Sequence, residues 1–364
     1  MNVALLYGGP SAEHVVSVHS AQNIEKILEK LGHSILRIAI DLNGRWLLQP
    51  APVREVFSYE TEVVPHPGEG LFARGKKLEV DVALPVTHGH GGEDGLLQGL
   101  CALCNVPLAS ADTLSSAVMM YKAVAQSLFR EAGIPTIPTY VVEEETVAEC
   151  IGEDDWPTLL DAARRICGPS IVVKPEDGGS SIGVTPLPDP TSESFADAVL
   201  TARHYGERIL VQQLIDPMIE VECALLEDPS WGLVASPPGM VVDPTKDSAR
   251  YLTYRTKYAT VGGDSLVCPA PIPVEDQKRI MQYAKTAFVI AKCHLYARAD
   301  FFYHDGRIWI NEVNTLPGLT ATSHYPVLIA QNGYSMERVV SLLLEDALER
   351  FGKSLEKTYI PPSL

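Results

Sequence analysis

The feature that most constrains the fold is a unit repeated near the N-terminus: an apolar run, a glycine-rich polar turn, then an amphipathic stretch. "NVALLY" runs into "GGPSAEH" and a helical stretch with Ile24, Ile27, Leu28 and Leu31 on one side, terminated by Gly32. "SILRIAI" is a second run, and "DVALPVTHG" a third that ends in polar residues before "GGEDGLLQGLCALC". Apolar runs alternating with helices indicate a mostly parallel sheet covered by those helices. The segment from about Asn43 to Lys77 is richer in Pro, Gly and charge and reads as a peripheral insertion.

A second unit starts near Thr113. Ser115 or Ser116 can cap one helix carrying Met119, Met120, Val124, Leu128 and Phe129, ended by Gly133 and Pro135. "TYVVEEE" and an acidic helical segment follow, and "SIVVKPEDGGSSIGV" reads as strand, Gly/Ser loop, strand. "RILVQQLI" and "IEVECALLE" are strand-like. Ser236 to Pro269 has little periodicity, and a structureless stretch of that length in a compact domain is usually functional or disordered. A long helix with Ile280, Tyr283, Ala287, Phe288 and Ile290 precedes the hairpin "RADFFYHDGRIWINEVN", and a C-terminal helix carries Val339, Leu342, Leu343 and Leu348.

The length of 364 residues suits two or three domains, and a net charge of −17 argues against a nucleic-acid partner. No apolar run reaches the ~18 residues of a membrane span, and the N-terminus lacks the basic region of a secretory signal. The seven cysteines are scattered. Cys101 and Cys104 form a lone CxxC, expected on a helix packing face rather than on zinc. Reduced thiols and a cytoplasmic setting are the expectation.

Asp305-Gly306 is a strong hairpin signal. A two-residue turn would put Asp300 opposite Asn311, with Asp300 and Glu312 on opposite sides. A three-residue loop, His304-Asp305-Gly306 with Gly306 left-handed, would put Arg298, Asp300, Glu312 and Asn314 on one face, with Arg298 opposite Glu312. The three-residue loop is the expectation. On that reading, Ile308 and Ile310 begin the face that Glu312 and Asn314 continue. Two carboxylates and an amide oxygen suit a hard cation such as Mg²⁺; the alternative is a solvated strand end with surface ion pairs. Burial of the face favours the cation, since unpaired buried carboxylates are costly.

A nucleotide with its cation needs positive charge and backbone N–H groups. Lys174 ends an apolar strand, and Gly178, Gly179, Ser180, Ser181 and Gly183 form a loop that can approach oxygens closely, or an ordinary hairpin tip. It is not a Walker A loop, because no Gly-Lys-Ser/Thr follows and the next element is a strand. Lys122, in mid-helix, can be solvated or can reach a phosphate. "GHGGED" is a poor dinucleotide fingerprint, and no nicotinamide site is expected. His88 ends a strand, where ligands bind in open α/β sheets. Glu93 and Asp94 read first as N-terminal caps of the next helix. Glu13 can hold an ammonium or serve as a first-turn acid.

"GGPSAEHVVSVHSA", "THGHGGEDGLLQG", "VVKPEDGGSSIGV", "RTKY" and "RADFFYHDGRIWINEVNTLPGLT" together, in this order over nearly the whole chain, closely resemble the D-alanine–D-alanine ligases of the ATP-grasp superfamily. The resemblance implies an α/β and α+β, three-domain ATP-grasp architecture with an N-terminal parallel-sheet (preATP-grasp) domain. Its units would be residues 1–112, an N-terminal substrate domain; 113–208, a central lid domain; and 209–364, a domain carrying Mg²⁺ and catalytic residues. It implies ATP-dependent ligation of two D-alanines through an acyl phosphate, for peptidoglycan precursors. ATP and two Mg²⁺ ions, with Mn²⁺ able to substitute, would be the cofactors, and a homodimer the assembly.

Residue by residue, the resemblance implies that Asp300, Glu312 and Asn314 hold the metals. Lys122, Lys174, Ser181, Gln212, Glu220 and Lys257 would serve the nucleotide. Glu13 would hold the first substrate's ammonium, with His88 lining that pocket. Ser180 and Tyr258 would link a lid, the Ser236–Pro269 stretch, to Glu13. Arg298 and the backbone at Gly318 would stabilise the oxyanion, and Ser323 would bind the second carboxylate.

Val15, Tyr121, Arg255 and His324 depart from the family pattern. His324, where Leu normally borders the second substrate, either admits a polar acceptor or faces solvent. A ligase with another, polar acceptor is therefore the alternative function. A nucleotide-binding regulator without turnover is a third, opposed by the intact Arg298, Asp300, Glu312 and Asn314.

Overall fold

The structure, a computed structural model, describes residues 1–242, 265–320 and 322–356. Strands β1 (Asn2–Gly8), β2 (Ser34–Ile40) and β3 (Trp46–Gln49) belong to an N-terminal sheet. A small antiparallel sheet follows, of β4 (Val63–His66), β5 (Gly70–Ala73) and β6 (Lys76–Lys77), before β7 (Val82–Pro85). The N-terminal order is β3-β2-β1-β7, with β2 and β7 parallel to β1 and β3 antiparallel on the edge. The parallel core matches the expectation. The segment from about Asn43 to Lys77 is peripheral only in part: β3 completes the main sheet because Trp46 and Leu47 are buried against it.

Helix α1 (His14–Lys30) lays Val18, Ala21, Ile24 and Leu28 on Val3, Leu5 and Tyr7. Helix α2 (Leu96–Leu103) covers the other face, where Cys101 and Cys104 pack with Ala4, Leu6 and Ile38. All seven cysteines are free thiols, so the CxxC spacing is a packing face, as its lone occurrence implied.

The single helix expected after Thr113 is two helices, α3 (Thr113–Met120) and α4 (Lys122–Glu131), parted at Tyr121, whose ψ of 94° no helix allows. Its cap is Asp112, not Ser115 or Ser116: the Asp112 carboxylate accepts the Ser115 N–H at 2.8 Å. Asp112 stands three residues ahead of Ser115, the N-cap position, and leaves both serines buried in the first turn. Lys122 therefore opens a helix instead of lying in mid-helix.

The central sheet is wholly antiparallel. Strands β8 (Thr139–Val142), β9 (Ile171–Pro175), β10 (Thr185–Leu187) and β11 (Ile209–Gln213) run in the order β10-β9-β11-β8. Helices Trp156–Cys167 and Ser192–Arg203 bury Leu160, Ala163, Phe195 and Val199 against it. The Gly/Ser segment joins β9 to β10, strand to strand, as read from the sequence.

The third sheet contains β12 (Ile219–Asp228), β13 (Gly232–Ala235), β14 (Gly239–Val242), β15 (Ser265–Val267), β16 (Tyr296–His304) and β17 (Arg307–Asn314). Its order is β15-β14-β12-β16-β17, with β13 also on β12. The stretch from Ser236 to Pro269 is thus not wholly irregular, since its two ends pair as β14 and β15. Helix Val274–Ile290 packs Ile280, Ala284, Ala287 and Phe288 on one face. Ala224, Leu226 and Tyr296 instead join a core shared with α1 and the C-terminal helix Met336–Leu355. That shared core fixes the first sheet against the third and leaves a cleft between them and the central sheet.

Candidate active site

The hairpin of β16 and β17 differs from the expectation in an instructive way. His304 pairs with Arg307, so the loop is the two residues Asp305 and Gly306, with φ of 49° and 76°. Both are left-handed, as a two-residue turn matched to strand twist requires. The change of parity comes from a β-bulge instead. Asp300 pairs with Glu312 and Phe301 with Ile310, which leaves Asn311 as the extra residue.

Two corrections follow from the bulge. Arg298 lies opposite Asn314, not Glu312. The core face begun by Ile308 and Ile310 is continued by Val313, all three packing in one apolar cluster. Glu312 and Asn314 stand on the other face, the cleft face, together with Arg298 and Asp300.

There the Arg298 guanidinium donates to both Asp300 oxygens, at 2.8 and 2.7 Å, and lies 3.4 Å from Glu222. Asn314 Nδ2 donates to Asp300 Oδ2 at 2.9 Å. Burial, with Glu222 and Glu312 adding to it, pushes the Asp300 carboxyl up to about 7, and Arg298 opposes that shift. Arg298 itself is buried, yet the carboxylates of Asp300 and Glu222 outweigh that cost and secure its charge.

The cations come from the other elements. Lys122 Nζ donates to Gly178 O at 2.7 Å and lies 3.3 Å from Glu312. Lys174 Nζ donates to Asn311 Oδ1 at 3.3 Å. Burial, and then the nearby Lys122, push the Lys174 ammonium down to about 8. An anion arriving between these lysines would reverse the effect.

The opposite wall is built from the turns of the first sheet. Glu13 sits at the N-cap of α1 without capping it, and instead accepts a hydrogen bond from the Ser180 hydroxyl. Gly89 has φ +68°, and a Cβ there would stand 2.7 Å from Glu13 Oε2. His88 is buried, with Ser20 Oγ 3.3 Å from its Nε2, and burial lowers its imidazole pKa. Glu93 is not a helix cap: the N-cap of α2 is Gly95, and Asp94 accepts the first helical N–H, from Leu96, at 3.1 Å. Glu93 reaches back to the Gly89 N–H at 2.7 Å, and burial together with Glu13 pushes its carboxyl up to about 8.

At the floor, a Cβ on Gly318 would stand 2.8 Å from Ser323 Oγ. Ser323 Oγ accepts the Thr320 N–H at 3.1 Å. His324 does not face solvent: its Nδ1 lies 2.8 Å from Glu222 Oε2, and the ring lines the cleft.

Glu13, His88, Glu93, Arg298, Gly318 and His324 surround a cavity of about 500 Å³. Lys174, Ser181, Gln212, Glu220 and Phe302 line a narrower slot of about 80 Å³ beside it. Lys122, Glu222, Glu312 and the loop Gly178–Ser180 border both. Lys257, Tyr258 and Arg255 lie outside the described residues.

Glu222 and Asn311 escape the sequence reading, which takes Glu93 for a helix cap. Glu222 had a signal, because in "IEVECALLE" Glu220 and Glu222 alternate with buried Val221 and Cys223. Two acids at that spacing in an otherwise apolar strand mark a polar face. Asn311 had none, since a bulge leaves no trace in residue type here.

Two antiparallel sheet units that pinch a slot between them, with lysines on one side and acids on the other, define the ATP-grasp class. Models of the D-ala D-ala ligase N-terminus and C-terminus match residues 2–111 and 128–345. The chain is 36% identical to D-alanine–D-alanine ligase A of Mesorhizobium japonicum over 96% of this chain and 97% of that one. It is 35% identical to the D-alanine–D-alanine ligase of Ruminiclostridium cellulolyticum over 96% of each.

Among solved structures, it is similar to the VanG D-Ala:D-Ser ligase of Enterococcus faecalis, with TM-score 0.80, 27% identity, and coverage of 95% of this chain and 99% of that one. It is also similar to the D-alanine–D-alanine ligase of Coxiella burnetii, with TM-score 0.79, 28% identity, and coverage of 98% and 97%. The chain belongs to the D-alanine–D-alanine ligase family, which comprises ATP-dependent ligases.

Proposed function

We propose that this protein joins two D-alanines at the expense of ATP, giving D-alanyl-D-alanine, ADP and phosphate for peptidoglycan precursors. The single observation that carries the reading is the junction of two compartments. The Glu13–Ser180 pocket and the Lys122–Lys174 slot meet at Glu222 and Glu312, with Arg298 and Asn314 on the pocket side and Asp300 on the slot side.

In this reading a carboxylate oxygen of the first D-alanine attacks the γ-phosphorus of ATP, and ADP leaves. The amine of the second D-alanine then attacks the acyl carbon, the nitrogen loses its proton, and phosphate leaves. Glu13 holds the first ammonium. His88, kept neutral by burial, lines the same pocket without adding a repelling charge. Lys122 and Lys174 neutralise the transferring phosphoryl group, and such transfer is mostly positioning plus charge compensation.

Arg298 and the backbone N–H at Gly318 face the developing oxyanion, where one preorganised donor contributes about 3 kcal/mol. Ser323 receives the second carboxylate. Ser181, Gln212 and Glu220 serve the nucleotide. The roles of Lys257 and Tyr258 fall outside the described residues.

The residues fit a hard divalent cation. Asp300, Glu312 and the Asn314 amide offer oxygen ligands, and the Asp300 carboxyl is raised first by burial and then by the negative charge of Glu222 and Glu312 beside it. Asp300, Glu312 and Asn314 would hold Mg²⁺, two ions on the family pattern with Mn²⁺ able to replace them, and the metal would supply charge neutralisation at phosphate oxygens.

The three units 1–112, 113–208 and 209–364, a homodimer and a cytoplasmic setting belong to the same reading. Among the described residues, no helix is long and apolar enough to cross a membrane.

One observation favours a second reading, ligation to a polar acceptor. His324 lines the cavity and is held by Glu222, and the similar VanG protein is a D-Ala:D-Ser ligase. Phosphate release from ATP, measured with Mg²⁺ and D-alanine alone or paired with D-serine or D-lactate, tests both. Turnover with D-alanine alone, abolished by chelation, is expected. No D-alanine-dependent release would overturn the first reading, and no gain with D-serine or D-lactate the second.

A further inference from the structure

Helix α4 begins without a cap of its own. Tyr121 holds the N-cap position in an extended conformation, and its side chain gives the helix no acceptor. The N–H groups of a first helical turn need one, and a serine, asparagine or aspartate at the cap ordinarily supplies it. Here the acceptor comes from another sheet. Glu176 Oε1 accepts the N–H of Ala123, the second helical residue, at 3.1 Å across 53 residues of chain. A carboxylate there also meets the positive end of the helix.

The carboxylate is held for this task. Glu176 follows directly on β9 and is 1% exposed. Ile209 pairs with Val142 and with Pro175, so Arg208 stands level with Glu143 and Glu176 at one end of the central sheet. Its guanidinium donates to both oxygens of Glu143 at 2.9 Å and to Glu176 Oε2 at 3.1 Å. That pairing turns the other Glu176 oxygen towards α4.

The bond joins two cores. Ala125 and Phe129 of α4 pack in the cluster of the third sheet, whereas Ile171 and Val173 of β9 pack in that of the central sheet. Lys122, the first residue of α4, spans the same gap, since its Nζ donates to Gly178 O at 2.7 Å. Glu176 lies two residues beyond Lys174 and two before Gly178. One buried carboxylate therefore sets the helix that carries Lys122 against the strand that carries Lys174 and the loop that follows it.

We infer that Glu176 is a positioning residue, which caps α4 from the central sheet and so holds Lys122 beside Lys174, where both can face one polyphosphate. The inference rests on the nucleotide reading of the slot. Glu176 touches no substrate in this scheme and acts through the backbone of α4.

Phosphate-release kinetics, with each substrate varied in turn, test it. Glu176→Met removes the acceptor without opening a cavity, and Arg208 keeps both of its bonds to Glu143. The KM for ATP should rise about tenfold, the size of one lost helix cap, while the KM for D-alanine stays within about twofold. Tyr121→Ser gives α4 a cap at its own N-cap position. Added to Glu176→Met, it should bring the KM for ATP back to within about threefold of native. A merely structural role for Glu176 in the central sheet would not predict that recovery. Glu176→Ala, which asks for no extra space, is read in the same way if Glu176→Met does not fold.

An unchanged KM for ATP without the Glu176 carboxylate overturns the inference. So does a parallel rise in both KM values, or a rise that Tyr121→Ser leaves in place. A native protein with no D-alanine-dependent turnover would overturn the ligase reading itself and this inference with it.

Discussion

The two walls of the cleft reach the same end, a dense set of charged groups, by different means. The wall holding Glu13, His88 and Glu93 is made by turns that follow parallel strands, and glycine gives its side chains room. The wall holding Arg298, Asp300, Glu312 and Asn314 is made by strand faces, and its composition depends on the register of one hairpin. A turn wall tolerates no added volume and depends little on register; a strand wall is the reverse. Asn311 makes the contrast concrete, since one extra residue in β17 decides which side chains meet.

The largest effect should come from breaking the strand wall at its hub. Arg298→Ala should lower kcat by about 10²–10³. It should also cost roughly 3–5 kcal/mol of stability, because Asp300 and Glu222 lose their buried counter-charge. Phosphate-release kinetics and urea unfolding read the two quantities separately. An active, undiminished Arg298→Ala protein would remove the hub from the scheme.

The turn wall should yield to volume instead. Gly89→Ala places a methyl 2.7 Å from Glu13 Oε2 at a left-handed φ. A loss of ~1–2 kcal/mol in stability and about a tenfold rise in the KM for D-alanine are expected. Unchanged kinetics would mean that Glu13 moves freely, and the contrast between the walls would fail.

Asn311→Ala keeps the bulge residue but removes the oxygen that accepts from Lys174. The KM for ATP should rise by about threefold, with kcat little changed, as one partly buried hydrogen bond allows. A loss confined to kcat would instead place Asn311 in the chemistry.

The smallest effect is a pH dependence. Glu93 has its carboxyl raised from 4.5 to about 8 in the folded protein. Between those values the folded state holds a proton that the unfolded state has lost, so this group's contribution to stability is complete below 4.5 and declines as pH rises towards 8. Glu93→Gln removes the decline. Its melting temperature should gain a few degrees on the native protein between pH 5 and pH 8. A constant difference across that range would mean that Glu93 is ionised throughout.

The sequence disclosed the parts of the fold that depend on local chemistry. Apolar runs, the Gly32 helix stop and the Asp305-Gly306 turn each act within a few residues, and each was readable. The parallel sheet and the strand–loop–strand of the Gly/Ser segment followed from them. Tyr121 was missed because nothing in its side chain forbids a helix; packing decides the break. The convergence of Arg298, Asp300, Glu312 and Asn314 was expected, but for the wrong reason. A loop and a bulge change parity equally, and only the pairing of His304 with Arg307 tells them apart. Glu222 and His324 come together across 102 residues of chain, a partnership that no local pattern encodes.

The contact between Ser180 and Glu13 spans 167 positions and joins segments whose apolar clusters are otherwise separate. A hydroxyl and a carboxylate thus form the latch of the whole vestibule. Either core can be remodelled over generations without disturbing that latch. Conversely, a substitution at a single serine can loosen the seam between the two halves while each half keeps its own integrity.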